Sequence, residues 1–244
     1  MSLHPDIAAV LAGDSEGCIV HGDCLEIMAD MPDGCVDAVV TDPPYGIGES
    51  AGRNKSRSCL AIAKDYGNAE WDNERPPHEA FDAMRRVSRE QVIFGGNYFT
   101  DYLPPSASWI SWDKDNGETD FADVELAWTS HDRAARKVRW RWQGMLQEPG
   151  APRDKRVHPT QKPLGLMVWV LENYTAWGDI ILDLFCGSGT TCVAAKKLGR
   201  RWIGIELDER YAEIARNRVA STPRPLFAET KESKPKAPQL FDTS

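Results

Sequence analysis

The sequence predicts a doubly wound α/β domain with a mostly parallel sheet. Three observations carry this prediction. Short apolar, strand-like runs alternate along the chain with segments of helical period. The run 36–41 is apolar with almost no alternation, as expected of a strand buried on both faces. Several runs stop at glycine, aspartate or proline, and strand ends of this kind are where open α/β sheets hold their ligands.

In chain order, residues 18–21 form a first strand, closed by Gly22 and Asp23. Leu25, Ile27, Met28 and Met31 mark a short helix stopped by Pro32. The buried strand 36–41 follows. Residues 46–71 are glycine-rich and polar, which predicts a mobile loop. Pro76 and Pro77 open a helix reaching about Arg89, and 91–94 is a strand broken by Gly95, Gly96 and Asn97. Residues 109–112 and 124–129 are further strands, whereas 131–157 has no clear period. Pro163 starts a helix through Leu171, the position where proline is best tolerated. Residues 180–184 form a strand, followed by a glycine turn and a helix ending at Gly199. Residues 202–206 are a strand, and Tyr211, Ile214, Ala215 and Arg218 lie at helical spacing. The domain is expected to span 1–220, with a disordered, proline- and lysine-rich tail at 221–244.

The 244-residue chain is 41% hydrophobic and 27% charged, ordinary for a globular domain. It contains no apolar run of membrane-spanning length, and its first 17 residues do not resemble a secretion signal, so a cytoplasmic location is expected. Cys18, Cys24, Cys35, Cys59, Cys186 and Cys192 have no zinc spacing; reduced, buried thiols and no metal are expected. The net charge of −8 weighs against nucleic acid as a partner. Yet residues 133–156 hold eight basic side chains against two acidic ones, so a basic face is available on an acidic body.

Two segments carry chemistry. In the first, a strand ends at Asp183, then Phe185-Cys186-Gly187-Ser188-Gly189 leads into a helix at Thr190 and Thr191. Such glycines let a ligand approach the backbone, and the helix start offers unpaired N–H groups. Glu206 ends the next strand, where an acid can bind ribose hydroxyls. The third glycine of a dinucleotide site is missing, which favours a single adenosine moiety. In the second, Asp42-Pro43-Pro44-Tyr45 ends the buried strand. Its prolines remove two N–H donors and stiffen the backbone. The result is a ledge of carboxylate, bare carbonyls and an aromatic ring, suited to a planar ring bearing an amino group.

Together with His158-Pro159-Thr160-Gln161-Lys162-Pro163, these motifs resemble the DNA N6-adenine/N4-cytosine methyltransferase family. Their order, tetrapeptide before cofactor turn, is similar to that family's permuted β class. The resemblance covers residues 18–219. It implies a circularly permuted, Rossmann-like methyltransferase sheet of seven strands, one of them antiparallel and placed at 124–129. It also implies S-adenosylmethionine as cofactor. Asp23 is then expected at the adenine amino group and Glu206 at the ribose. The turn from Gly187 to Thr191, with Asp183 and Phe185 leading into it, and the motif from His158 to Lys162 are expected around the methionine portion. Thr160 and Lys162 are expected at its carboxylate.

The target amine would bond to Asp42 and the Pro43 carbonyl, while Tyr45 captures the face of a flipped base. Asp at position 42 favours adenine in this family, with N4 of cytosine the nearest alternative. A protein-glutamine methyltransferase and a non-enzymatic DNA-binding relic are more remote. Phe99, Trp112 and Tyr98 are read as core, with apolar walls for the flipped base as the alternative, and Asn97 as a turn residue, with readout of that base as the alternative. Double-stranded DNA is the expected partner, held by Arg133, Arg136, Lys137, Arg139, Arg141, Gln143 and Arg156 in a recognition insert at 131–157. Arg53, Lys55 and Arg57 in the 46–71 loop are expected to close over it. A homodimer is left open. Gln239-Leu240-Phe241 is similar to sliding-clamp-binding peptides, with a chance string as the plainer reading.

Overall fold

The computed structural model describes residues 2–47, 74–116, 122–143, 146–151, 157 and 160–224. Most of the 46–71 loop, with Arg53, Lys55, Arg57 and Cys59, lies outside them. So do Arg153, Lys155, Arg156, His158, Pro159, the side chain of Gln143, and Gln239, Leu240 and Phe241.

The elements follow as α1 (Pro5–Ala12), β1 (Gly17–His21), α2 (Cys24–Ala29), β2 (Val36–Thr41), α3 (His78–Val87), β3 (Ser88–Phe94), β4 (Trp109–Asp113) and β5 (Val124–Thr129). Then come β6 (Arg136–Arg139), β7 (Trp142–Gln143), β8 (Leu146–Gln147), α4 (Leu164–Tyr174), β9 (Ile180–Asp183), α5 (Thr190–Lys197), β10 (Arg201–Glu206) and α6 (Glu209–Ser221). The main sheet has the order β1-β10-β9-β2-β3-β5-β4-β6. β5 runs antiparallel to both its neighbours, β3 and β4, and the other ladders are parallel.

Alternate residues of the strands feed two cores. Ala38, Val40, Ile181 and Phe94 pack with Leu166, Val170 and Ala194 of α4 and α5. Val39, Leu182, Ile93 and Ile205 pack with Ile7, Met28 and Phe81 of α1, α2 and α3. Both faces of the central strands are thus apolar, which is why 36–41 shows no alternation. Cys186 and Cys192 are buried free thiols.

Three differences from the sequence reading have physical causes. Residues 5–12 form a helix because Pro5 sits at its first turn and Ile7 and Val10 are one turn apart, both fully buried. The α3 helix stops at Val87, and Ser88 begins the next strand at once. The main sheet has eight strands rather than seven, because β6 pairs with β4 at its edge. In β6 only Val138 is buried, so the edge strand has no apolar period.

Candidate active site

β2 and β9 are neighbours, but the chain leaves them in opposite directions. β2 continues through α3 to β3, and β9 through α5 to β10. A crevice therefore opens beyond their carboxyl ends, the place where doubly wound sheets bind ligands. It holds a cavity of about 560 Å³, within the range of small-molecule sites. Asp23, Asp42, Thr160, Lys162, Phe185, Gly187, Thr191 and Glu206 are on its wall.

The cavity floor is a tied turn. Asp183 ends β9, and its Oδ1 accepts from the Thr41 hydroxyl at 2.8 Å and from Phe185 N–H at 3.3 Å. Burial pushes the Asp183 carboxyl up to about 6, against the hydrogen bonds from Thr191 and Thr41. Gly187 and Gly189 take φ of 50° and 79°, the left-handed region that glycine enters freely. A methyl group on Gly189 would also lie 2.8 Å from Ala215 Cβ, so α6 packs against the turn. Gly189 caps α5 without a side-chain acceptor, which leaves the first N–H groups to a ligand. Arg218 of α6 donates to the Ser188 carbonyl at 2.6 Å and its hydroxyl at 2.7 Å.

Glu206 closes this side. Its two oxygens accept Gly187 N–H at 2.7 Å and Asp208 N–H at 2.9 Å. A carboxylate offers about four lone-pair sites, so room remains for a hydroxyl donor. Burial raises the Glu206 carboxyl. Asp23 caps α2, with Oδ1 accepting Leu25 N–H at 2.8 Å and Glu26 N–H at 3.2 Å. Gln161 is buried between the Val157 N–H and the Ser188 hydroxyl.

Asp42-Pro43-Pro44-Tyr45 stands on the other side of the crevice. The Tyr45 hydroxyl donates to Asp42 Oδ1 at 2.6 Å and approaches Glu125 Oε1 at 3.1 Å. Its ring is stacked on Tyr98, centroids 4.7 Å apart, and lies edge-on to Phe99 at 6.2 Å. Phe99 and Trp112 are core residues, whereas Tyr98 is 39% exposed and belongs to the site. Gly95 makes room for the Tyr45 ring, since a Cβ there would sit 2.1 Å from Cε1.

Lys162 lies on the cavity wall, but its ammonium is directed to two carboxylates: Asp42 Oδ2 at 2.5 Å and Glu125 Oε1 at 2.7 Å. Lys114 binds the other Glu125 oxygen at 2.9 Å. Burial works against the Glu125 charge, yet Lys162 and Lys114 outweigh it and draw that carboxyl down to about 2. Burial pushes Asp42 above the usual carboxylate range, with Lys162 opposing. Sequence reading missed Glu125, Lys114 and Arg218 as members of the site, whereas Gln161 belongs to the motif expected around the cofactor. The one available signal was a glutamate inside the otherwise apolar strand Val-Glu-Leu-Ala-Trp-Thr.

The basic insert is partly neutralised. Arg139 and the Nε of Arg141 reach Asp115 at 2.9 and 2.8 Å, and Lys137 reaches Asp113 at 2.8 Å. Arg133 donates to the Asn173 carbonyl at 2.7 Å and lies over the Tyr174 ring. Arg136 is exposed on β6.

Residues 96–217 match the DNA methylase family N6_N4_Mtase. YubD of Escherichia coli (strain K12) is 30% identical over 223 residues, covering 85% of this chain and 92% of that protein. The type II methyltransferase M2.DpnII of Streptococcus pneumoniae is 27% identical over 240 residues, covering 82% and 88%. The structure of an M1.HpyAVI–SAM complex is 25% identical with a TM-score of 0.53, covering 83% of this chain and 98% of that one. The cytosine-N4-specific PvuII DNA methyltransferase shares the fold, with a TM-score of 0.55 at 17% identity over 84% of this chain and 86% of that one. The protein is therefore a member of the N6_N4_Mtase family of DNA methylases.

Proposed function

We propose that this enzyme transfers a methyl group from S-adenosylmethionine to the N6 amino group of adenine in double-stranded DNA, with the target base turned out of the helix. The observation that supports this best is the meeting, at one crevice, of a small-molecule cavity and the Asp42-Pro43-Pro44-Tyr45 ledge. Asp42 rather than serine at the head of the ledge favours adenine.

The residues present fit the cofactor. Glu206 has lone pairs left for ribose hydroxyls, and Asp23 has an oxygen beyond the one that caps α2. The open α5 start suits a carboxylate. When bound, S-adenosylmethionine supplies a sulfonium methyl group with a neutral thioether as leaving group.

The chain itself positions and polarises. An aromatic amine is a poor nucleophile because its lone pair is delocalised into the ring. Asp42 and the Pro43 carbonyl accept its two N–H bonds, which favours a tetrahedral nitrogen with a localised lone pair. That pair forms the new N–C bond, and the surplus nitrogen proton then leaves, with Asp42 as the neighbouring acceptor. Tyr45 and Tyr98 stack on one another at the ledge, and this aromatic pair is where the flipped base would be captured.

Incubation with methyl-labelled cofactor and DNA, followed by mass spectrometry of the nucleosides, tests the reading. N6-methyladenine is expected. N4-methylcytosine as sole product would overturn the choice of base and leave the chemistry standing.

A further inference from the structure

We propose that Lys162 and Glu125 are positioning residues that set the ionisation and aim of the Asp42 carboxylate, and that Lys162 does not serve the cofactor's carboxylate. This inference rests on the methyl-transfer reading above.

The geometry is a closed chain of charges. Lys114 bonds to Glu125 Oε2, Glu125 Oε1 to Lys162, and Lys162 to Asp42 Oδ2, while Tyr45 donates to Asp42 Oδ1. Two ammoniums thus balance two carboxylates. The three side chains at its centre, Lys162, Glu125 and Asp42, are 11%, 14% and 21% exposed. The elements packed around Asp42 present Tyr45 from its own turn, Lys162 from the approach to α4, Glu125 from β5, Lys114 beyond β4, and Asp183 from β9. Lys162 is the one cation among these in contact with Asp42.

Asp42 serves the amine only as a charged acceptor. A carboxylate offers about four lone-pair sites, and Tyr45 and Lys162 take one on each oxygen. One site on each oxygen is left for the target amine, so the network orients Asp42 without saturating it. Without Lys162, Asp42 and Glu125 would be two like charges in a poorly solvated pocket, and one would bind a proton near neutral pH. The Lys162 ammonium is itself held by both carboxylates, which keep it above the usual lysine range against burial.

Opposite charge changes therefore have opposite effects. In Lys162→Met the Asp42 carboxyl rises, so the acid limb of the rate–pH profile moves to higher pH. In Glu125→Gln a like charge disappears, so the limb moves to lower pH.

The test uses the full chain with DNA and saturating cofactor between about pH 5 and 9, with cofactor affinity measured by calorimetry. The expected result is an upward displacement of about one pH unit or more in Lys162→Met, with activity recovering at high pH and cofactor affinity unchanged. Lys162→Arg should restore much of the wild-type profile, and Glu125→Gln should move the limb downward. Uniform loss of activity in both variants with the limb in place would overturn the proposal. So would a loss of cofactor affinity in Lys162→Met that accounts for its whole defect. If Lys162→Met does not fold, the direction of the Glu125→Gln limb decides alone. If the wild-type enzyme methylates no DNA, the methyl-transfer reading itself is what fails.

Discussion

Gly95→Ala probes how tightly the Tyr45 ring is held, without touching the cofactor. Gly95 has φ of 65°, and a Cβ there would lie 2.1 Å from Tyr45 Cε1 and 2.5 Å from Cζ. Carbon atoms settle near 3.5 Å apart, so the ring must retreat by roughly 1.4 Å. The left-handed backbone adds about 1–2 kcal/mol against alanine. The Tyr45 hydroxyl bonds to Asp42 at 2.6 Å, and a retreat of that size breaks this contact. A misplacement on the order of 1 Å at a reacting centre costs roughly 10²-fold in rate. Neither Gly95 nor Tyr45 lines the cavity, so cofactor affinity should be unchanged. Turnover with labelled cofactor, calorimetry of cofactor binding and thermal unfolding read the three consequences. Turnover close to wild type would show that the ring has slack, and would refute the reasoning.

Glu206→Ala should weaken cofactor binding by about 1.5–3 kcal/mol, the loss of a charged hydrogen-bond partner; unchanged affinity by calorimetry would remove Glu206 from the ribose role. Asp183, whose carboxyl burial pushes up to about 6, binds its proton more tightly folded than unfolded, so it favours the fold at acid pH and that contribution fades as pH rises through about 6. Asp183→Asn should therefore spare the cofactor-free protein a loss of roughly 3 kcal/mol between about pH 4 and 7, and identical pH slopes of unfolding in both proteins would contradict this. Arg139→Ala with Arg141→Ala should reduce the log–log salt slope of DNA binding by about 1.8 if both hold phosphates, and an unchanged slope would mean that Asp115 keeps them.

The features legible in the sequence are those that lie contiguously along it. Asp42-Pro43-Pro44-Tyr45 and Phe185-Cys186-Gly187-Ser188-Gly189 are each a strand end followed by a turn, so their residue types announce their geometry. The antiparallel β5 came from the family pattern rather than from its own residues. What stayed hidden is assembled across the chain. Lys162 and Asp42 are 120 positions apart, and Tyr45 and Glu125 are 80 apart. No periodicity marks such a meeting, and it depends on β5 running antiparallel between β3 and β4. Tyr98 read as core because aromatic residues near strand ends usually are, but the left-handed turn at Gly95 carries it out onto Tyr45. The basic insert read as a free positive face. Its acidic partners, Asp113 and Asp115, sit about two dozen residues upstream at the end of β4, so a local count of charges could not include them.

In the proposed mechanism Asp42 acts on the target amine while a separate set of residues holds the cofactor. Asp42→Ala tests it directly, by single-turnover methyl transfer to DNA alongside calorimetry of cofactor binding. The expected rate is lower by about 10²–10³, the usual cost of losing a preorganised electrostatic group, with cofactor affinity preserved through Glu206, Asp23 and the Gly187 turn. An Asp42→Ala enzyme that transfers methyl groups at a near-normal rate would contradict that mechanism.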